Sequence, residues 1–243
     1  QGSQDYVGDD VRVMYSEGCA LFKDRVCVLS EPNDRLAEVK GVCEASDVVI
    51  VCLGLDATLE GEEGDTGNEF ASGDKPDLNY PGLQNEILKA AYESGKPVVL
   101  VSLTGSAMDL SWADEHIPAI VQAWYPGSRG GEAVARLLFG ECSPEGKLPV
   151  TFYRSVEELP EFTDYSMKGR TYRYMEQEAL YPFGYGLSYT EFSLSEPEIT
   201  VYEGDKVSET GIIRKGTGMT VRTVIRNIGK MAGGETVQVY VKS

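Results

Sequence analysis

The chain has 243 residues, with 39 acidic against 22 basic side chains and a formal net charge of −17. This length is enough to bury a hydrophobic core, either as one large domain or as one domain and part of another. The negative charge repels nucleic-acid phosphates and anionic membranes, and no apolar stretch approaches the ~20 residues of a membrane span, so we expect neither nucleic acid nor a membrane as a partner.

The first part of the chain alternates two kinds of apolar pattern. Short, nearly continuous apolar runs are typical of strands covered on both faces of a parallel sheet, and apolar residues at three-to-four spacing are typical of helices. Their alternation indicates βαβ units. The predicted strands are 47–53, 97–103 and 119–124, and the predicted helices are 34–46, 82–95 and 128–140.

Local sequence signals mark the ends of two of these helices. Gly95 ends the helix over 82–95, while Ser128 is a candidate N-cap and Gly140 a candidate stop for the helix over 128–140. The combination predicts an α/β fold, a doubly wound and mostly parallel sheet with helices on both faces, which is an α/β sandwich.

After residue 147 the chain becomes rich in Pro, Gly, Tyr and Phe without helical periodicity, which predicts an irregular, aromatic-packed strap. Period-two alternation then predicts a β-hairpin of the kind that opens a β-sandwich, too short to close one. The alternating residues are Val221, Thr223 and Ile225, then Val237, Val239 and Val241. We therefore predict an α/β sandwich domain over 1–160, the strap over 161–196, and an incomplete β-sandwich segment over 197–243.

A long acidic segment follows the first predicted strand. Residues 54–82 contain eight acidic side chains and one lysine, without periodicity. The segment leaves the carboxyl end of a strand, the edge at which open α/β sheets carry their ligands, and at roughly 25 residues it exceeds the usual βα loop of about 2–6. We expect a functional loop here.

The acidic side chains favour carboxylate chemistry over other catalytic classes. Glu60, Glu62, Glu63 and Asp65 crowd together, and like charges raise one another's pKa, which suits a proton donor to a leaving oxygen in glycosidic cleavage. A solvated acidic loop with no task is the alternative, and charge alone favours it. Calcium-loop spacing is not met, so we predict neither a metal site nor a cofactor.

Other candidate chemistry is weaker. His116 is the single histidine and precedes a proline at a strand entrance, which favours a structural or solvated role. A nucleotide site at the turn "SLTGSAMD" (102–109) lacks a phosphate-cradling glycine pattern. Trp112 and Trp124 could each stack on a sugar, although Trp124 closes an apolar strand and is expected in the core.

The cysteines point to the redox environment. Cys43 and Cys52 lie in apolar or helical surroundings, where a free cysteine behaves as a small hydrophobe. An odd number without CxxC pairs favours unpaired thiols in a reducing compartment and mildly favours a cytoplasmic location. The cysteines are Cys19, Cys27, Cys43, Cys52 and Cys142.

Five stretches, in this order, resemble the C-terminal α/β sandwich domain of glycoside hydrolase family 3, which includes β-glucosidases and β-xylosidases. The resemblance covers most of residues 10–195, and the terminal segment looks like the start of the fibronectin type III-like domain that commonly follows. The stretches are "VVIVCLGLDATLEGEEGD", "LNYPGLQNEILKAA", "KPVVLVSLTGSAMDLSWA", "AIVQAWYPGSRGGEAVARLLFGECSPEGKLPVTF" and "RTYRYMEQEALYPFGYGLSYTEF".

The resemblance implies roles for the acidic residues. The family pattern E-x-E-x-x-D-R falls on Glu60, Glu62 and Asp65, which makes Glu62 the general acid/base and gives Glu60 and Asp65 a supporting role in the loop. Thr66 stands where the family usually has Arg. This departure affects an ion pair that would orient the loop and leaves Glu60 or Glu63 as substitutes for the acid/base.

The resemblance also implies a partner. The family's nucleophile is an aspartate on a separate (β/α)8 barrel, which takes about 250 residues by itself and cannot be built by this chain. We therefore expect part of a retaining hydrolase that releases terminal β-linked glucose or xylose from β-glucosides or β-xylosides, and we expect the fragment alone to be inactive. The alternative is a non-catalytic α/β carbohydrate-binding or protein-interaction module.

Overall fold

The computed structural model describes residues 2–23, 29–31, 33–60, 75, 77–203, 206–207 and 218–240. The chain divides into two compact units. The first comprises Gln1–Phe139 and Lys147–Tyr185, and the second comprises Gly140–Gly146 and Gly186–Ser243. The predicted boundaries at 160 and 196 stay predictions.

A parallel sheet forms the centre of the first unit. Its strands lie in the order β1-β2-β3, and both neighbouring pairs are parallel. Val49 pairs with Val98 in β1 and β2, and Val99 pairs with Ala119 in β2 and β3. The strands are β1 (Val49–Gly54), β2 (Val98–Leu103) and β3 (Ala119–Gln122).

Helices connect and flank these strands, which confirms the α/β class. The three helices predicted from apolar spacing are all present, each beginning and ending two residues inside its predicted bounds. The helices are α1 (Gly2–Val7), α2 (Leu36–Glu44), α3 (Gln84–Glu93), α4 (Ser111–His116), α5 (Gly130–Leu138) and α6 (Thr171–Tyr174), with one-turn 3-10 helices at Gly8–Asp10 and Val156–Glu158.

The predicted helix stops are confirmed and the predicted N-cap is wrong. Gly95 and Gly140 follow the C-caps of α3 and α5 with φ of 71° and 75°, a left-handed conformation that glycine adopts without steric cost. The N-cap of α5 is Arg129 rather than Ser128, and no side chain caps that end. The turn preceding α5 instead closes through its backbone, where the Gly130 amide donates to the Gly127 carbonyl.

The hydrophobic core lies between the sheet and the helices packed on it. Val51 and Leu53 of β1, Leu100 of β2 and Leu88 of α3 are buried together with the loop residue Met108. The other face of β1 differs from the prediction of strands covered on both faces, because Ile50 and Cys52 are exposed in the described structure. Strand β2 is buried or half-buried along its whole length, as predicted.

The predicted strap is packed only in part, because Tyr181 contacts the ring of buried Phe152 whereas Phe162 and Tyr165 are exposed. Phe152 is fully buried, forms a β-bridge with Tyr181, and meets the Trp124 ring edge-on at a centroid distance of 6.4 Å. Tyr181 in turn stacks on Tyr185 at 4.9 Å. Ring packing around Phe152 therefore stabilises the first unit, and Trp124 is partly buried against the core.

The second unit contains short antiparallel sheets. Strand β5 pairs with β6 and β7, and β4 pairs with β8. The strands are β4 (Phe192–Leu194), β5 (Glu198–Glu203), β6 (Lys206–Val207), β7 (Gly218–Arg222) and β8 (Ile225–Asn227).

The predicted terminal hairpin is wrong. Its first half splits into β7 and β8, which pair with different strands, and residues 232–240 form no strand. The split occurs at Val224, whose amide donates to the Ser195 hydroxyl at 2.9 Å while its carbonyl accepts from the Ser195 amide at 2.9 Å. These bonds adjoin the Leu194–Ile225 pair, so Val224 lies on the β8 side of the break that follows Arg222. Val241 lies outside the described residues.

The cysteines in the described part of the chain are free. Cys43 is buried in the core as predicted, whereas Cys52 is exposed on β1. Cys27 lies outside the described residues.

Candidate functional site

The structure describes only some of the predicted site residues. Glu60 is described and lies just after β1, at the carboxyl edge of the parallel sheet. Glu62, Glu63 and Asp65 lie outside the described residues, as does Thr66. The geometry of the site is therefore built from Glu60 and the residues that contact it.

The end of β1 is fixed by close packing. A Cβ on Gly54 would lie 2.0 Å from the Leu103 carbonyl oxygen, so only glycine fits between the strands at this point. The side chain of Gln84, on the first turn of α3, accepts from the Gly54 amide at 2.7 Å and donates to the Gly54 carbonyl at 2.8 Å. These bonds hold the strand end from which the acidic segment begins.

A short turn then aims Glu60. The Asp56 carboxylate accepts from the Thr58 amide at 2.9 Å, which is an Asx-turn, and the Asp56 carbonyl accepts from the amides of Leu59 and Glu60 at 3.0 Å. Leu59 is 2% exposed and anchors the turn in the core. The sequence Asp56 to Glu60 thus forms one helical turn whose last side chain projects over the sheet edge.

Glu60 accepts hydrogen bonds from two other loops. The Gly105 amide donates to Oε2 at 2.8 Å, the Ser106 hydroxyl donates to Oε1, and the Tyr125 hydroxyl donates to Oε2. Gly105 and Ser106 follow β2, and Tyr125 follows β3, so the carboxylate joins the ends of all three strands of the parallel sheet.

These contacts keep Glu60 ionised. Burial by itself raises the pKa of Glu60, but the hydrogen bonds from Ser106, Tyr125 and the Gly105 amide, with the positive charge of Lys75, outweigh it and lower the pKa. The pKa of Tyr125 is raised by burial and by the hydrogen bond and negative charge of Glu60. A carboxylate with a lowered pKa accepts hydrogen bonds well and is a weak proton donor near neutral pH.

The approach of Tyr125 depends on two special backbone positions. Trp124 adopts φ of 54°, a left-handed conformation uncommon for a bulky residue, and this directs the next residue toward Glu60. A Cβ on Gly105 would lie 2.7 Å from the Tyr125 ring and 2.9 Å from the Glu60 carboxylate. Glycine at 105 therefore allows the three groups to meet.

Sequence reasoning missed Gly105, Ser106 and Tyr125 as parts of this site. The signal that pointed to the first two was the turn 102–109, which we considered as a nucleotide site. Its Gly105 amide and Ser106 hydroxyl do hold an anion, and that anion is the Glu60 carboxylate. These donors are thus already engaged, which removes the reason for a phosphate there.

Lys75 follows the undescribed stretch 61–74 and lies beside the same turn. Its ammonium group donates to the Ala107 carbonyl at 3.0 Å and contacts the Met108 sulfur at 3.1 Å. Burial lowers the pKa of Lys75, and the negative charges of Glu60 and Asp77 act in the opposite direction. A half-buried cation thus lies within the electrostatic range of the Glu60 carboxylate.

The described residues at this edge line a cavity of about 230 Å³, with Leu59, Lys75 and Tyr80 among its walls. Sites for small molecules usually have volumes of roughly 300–1,000 Å³. The volume of this cavity lies below that range.

The remaining candidates have structural roles in the described chain. The His116 ring stacks on Trp112 at 4.4 Å, and its Nδ1 lies 2.8 Å from the Trp112 carbonyl oxygen, which fits the structural role predicted for the histidine. One face of the Trp112 ring is thereby covered. Within the described ranges, no cluster of three or more His, Cys, Asp or Glu side chains could hold a metal ion. None of the helices in these ranges combines the length and the hydropathy that a membrane span requires.

Comparison with known proteins identifies relatives along nearly the whole chain. A xylan 1,4-β-xylosidase from Xylanibacter ruminicola is 43% identical over 212 residues, which are 87% of this chain and 23% of that protein. A β-xylosidase from Formosa agariphila is 34% identical over 246 residues, 99% of this chain and 31% of that protein. The chain thus spans less than a third of the length of these relatives.

The structural comparison agrees. The solved structure of a β-glucosidase from Erythrobacter marinus matches 94% of this chain and 37% of that chain, with a TM-score of 0.67 and 26% identity. The sequence model of the Glycosyl hydrolase family 3 C-terminal domain matches residues 2–189, which include every residue of the Glu60 site. The resemblance seen in the sequence is thus confirmed, and the chain belongs to the C-terminal domain family of glycosyl hydrolase family 3.

Proposed function

We propose that this chain is the part of a retaining β-glycosidase that supplies the general acid/base, and that Glu62 is that residue. The observation that carries the proposal is the anchoring of Glu60, two residues before Glu62, to the ends of three parallel strands. An acid/base residue must be held within hydrogen-bond reach of the leaving oxygen, and a fixed neighbour in the chain serves that need.

The substrate class follows from the relatives. Those described above are named as β-xylosidases and a β-glucosidase. We infer that the whole enzyme releases terminal β-linked xylose or glucose. The non-catalytic alternative, a carbohydrate-binding or protein-interaction module, is not favoured, because the family match and the named relatives are all of glycoside hydrolases.

The roles divide between two steps. In the first, Glu62 protonates the leaving oxygen while a nucleophile on another domain forms the glycosyl-enzyme; in the second, Glu62 removes a proton from the attacking water. Glu60 supports the loop, a role that suits its lowered pKa better than proton donation does. Asp65 is proposed as a second support, and Glu63 is the remaining substitute for Glu62.

The proposed reaction requires a partner domain. Retaining enzymes place two carboxyl groups about 5–5.5 Å apart, and we propose that the second belongs to a (β/α)8 barrel elsewhere in the parent polypeptide.

The leaving-group dependence of the Glu62→Ala variant of the full-length enzyme tests this assignment. Without its acid, the variant should lose about 10²–10⁴-fold in kcat/KM on alkyl glycosides and xylobiose or cellobiose, whose leaving oxygens need a proton. A 2,4-dinitrophenyl glycoside needs no proton and should lose far less in the first step.

The neighbouring Glu63→Ala variant is the matched control, and we expect it to keep wild-type leaving-group dependence. Equal losses on all substrates for Glu62→Ala would show that Glu62 is not the acid. A leaving-group effect in Glu63→Ala alone would move the role to Glu63.

A further inference from the structure

Glu60 and Lys75 are the described residues that border the stretch 61–74. Both contact the turn that follows β2. Glu60 accepts from the Gly105 amide and the Ser106 hydroxyl, and Lys75 donates to the Ala107 carbonyl. Three consecutive residues of this turn thus bind both borders of the acidic segment. Gly105 and Ser106 donate to Glu60, and Ala107 accepts from Lys75.

The charges of the two borders are complementary. Lys75 is the one base among the residues 54–82, which carry eight acids. A half-buried ammonium group loses hydration, and neither a carbonyl oxygen nor a thioether sulfur supplies a compensating negative charge. The negative charges of Glu60 and Asp77 favour the charged form of Lys75, since they raise its pKa against the effect of burial.

The turn that receives both borders is itself fixed in the core. Thr104 is fully buried, donates to the Ser106 carbonyl at 2.8 Å, and accepts from the Gln122 side chain of β3 at 3.0 Å. Met108 is also fully buried, and the Asp109 amide donates to the Leu78 carbonyl at 2.7 Å. A group bonded to this turn is therefore held in place relative to the sheet.

We propose that Lys75 is a positioning residue for the reaction, which together with Glu60 fixes both borders of the segment carrying Glu62 to the turn 104–108. This inference rests on the proposed function of Glu62. The proposed role is one of positioning, since the ammonium group of Lys75 contacts Ala107 and Met108 of the turn. It acts by restricting where the segment between the two borders can lie.

The effect of such a residue should appear in the step that needs the acid. Displacing a catalytic group by about 1 Å can cost on the order of 10²-fold in rate. Loss of one of two fixed borders should therefore reduce protonation of the leaving oxygen, and should affect substrates that need no protonation much less.

The experiment uses the full-length parent enzyme with three variants and two substrates. Lys75→Met removes the charge and keeps a long apolar stem, and Lys75→Arg keeps the charge. Lys40→Met, on the exposed side of α2, is the matched control. Each variant is assayed on a 2,4-dinitrophenyl glycoside and on xylobiose or cellobiose, and Glu62→Ala is measured in parallel.

We expect Lys75→Met to lose about 10-fold or more in kcat/KM on xylobiose or cellobiose and less than about 3-fold on the dinitrophenyl glycoside. Lys75→Arg should recover most of the loss, and Lys40→Met should match wild type. Activity on the dinitrophenyl glycoside also reports folding. Equal losses on both substrates, or a Lys75→Arg variant no better than Lys75→Met, would overturn the proposal.

The parallel variant separates this inference from the proposed function. If Glu62→Ala shows the leaving-group effect and Lys75→Met does not, the positioning role fails and the acid/base assignment stands. If Glu62→Ala shows no such effect, both fail, because Lys75 would then have no acid to position.

Discussion

The carboxylate of Glu60 is held by groups that are distant in sequence and adjacent in space. Its donors follow β2 and β3, and their bonds join three strand ends at the edge where α/β sheets carry their sites. Hydrogen bonds to an ionised carboxylate are stronger than neutral ones. We therefore expect this single side chain to stabilise the sheet edge as well as the acidic segment.

Replacement of Glu60 by Gln should have a pH-dependent effect on stability. The folded-state pKa of Glu60 lies below its ordinary value of 4.5, so its stabilisation is present above the unfolded-state pKa and is lost as the pH falls through the folded-state pKa. Glu60→Gln should cost about 1–2 kcal/mol of unfolding free energy at pH 7, after allowing for partial exposure.

Urea unfolding of wild type and Glu60→Gln between pH 3 and pH 8 measures this difference. The difference in unfolding free energy between wild type and Glu60→Gln should be constant near neutral pH. It should become smaller below about pH 4.5, where the carboxyl group of the unfolded chain takes up a proton. A gap that stays unchanged down to pH 3 would mean that the ionised form of Glu60 contributes nothing.

Sequence reasoning found the acidic residues of the site and not their partners. Glu60 was visible because it lies in a run of acids after a strand, and charge density is a local property. Ser106 and Tyr125 carry no such local signal, and their contact with Glu60 exists only because parallel pairing brings three strand ends together. A contact of this kind depends on tertiary structure and could not be predicted from spacing.

Helices and strands were predicted correctly where their sequence signal is local, and wrongly where they depend on distant parts of the chain. The helices α2, α3 and α5 and the strands β1 to β3 were predicted because apolar periodicity and glycine stops are encoded within each segment. The terminal hairpin was predicted wrongly because strand pairing is set by partners elsewhere in the chain. There, the alternating run is shared between two sheets, because β7 pairs with β5 and β8 pairs with β4.

Gly54→Ala tests the packing at the end of β1. The added Cβ would meet the Leu103 carbonyl oxygen at 2.0 Å, so the strands would have to separate, and overpacking of this kind costs about 1–3 kcal/mol. Urea unfolding of the 243-residue chain should show this loss.

Gly41→Ala is the matched control, because its Cβ in the helix α2 would meet nothing within 4 Å. Alanine there should raise the unfolding free energy by up to about 1 kcal/mol, the usual difference in helix propensity. Equal effects of the two substitutions would contradict the account of Gly54 as a position where only glycine fits.

For the whole molecule, the family was predictable and the domain arrangement was less so. Motifs in the family's order identified the glycosyl hydrolase family 3 C-terminal domain, and the match over residues 2–189 confirms it. The fibronectin type III-like nature of the terminal segment stays a prediction, since that match ends before it. The preference between glucose and xylose depends, in our proposal, on a barrel that this chain does not contain.

In the proposed function, Glu62 acts as a proton donor for a reaction centred on another domain. The most direct test is the product that the full-length Glu62→Ala enzyme forms from a dinitrophenyl glycoside in the presence of azide. In a retaining reaction azide attacks the glycosyl-enzyme from the face that Glu62 has vacated, so turnover should rise and the product should be the β-glycosyl azide. No acceleration by azide, or an α-glycosyl azide as the product, would contradict the assignment.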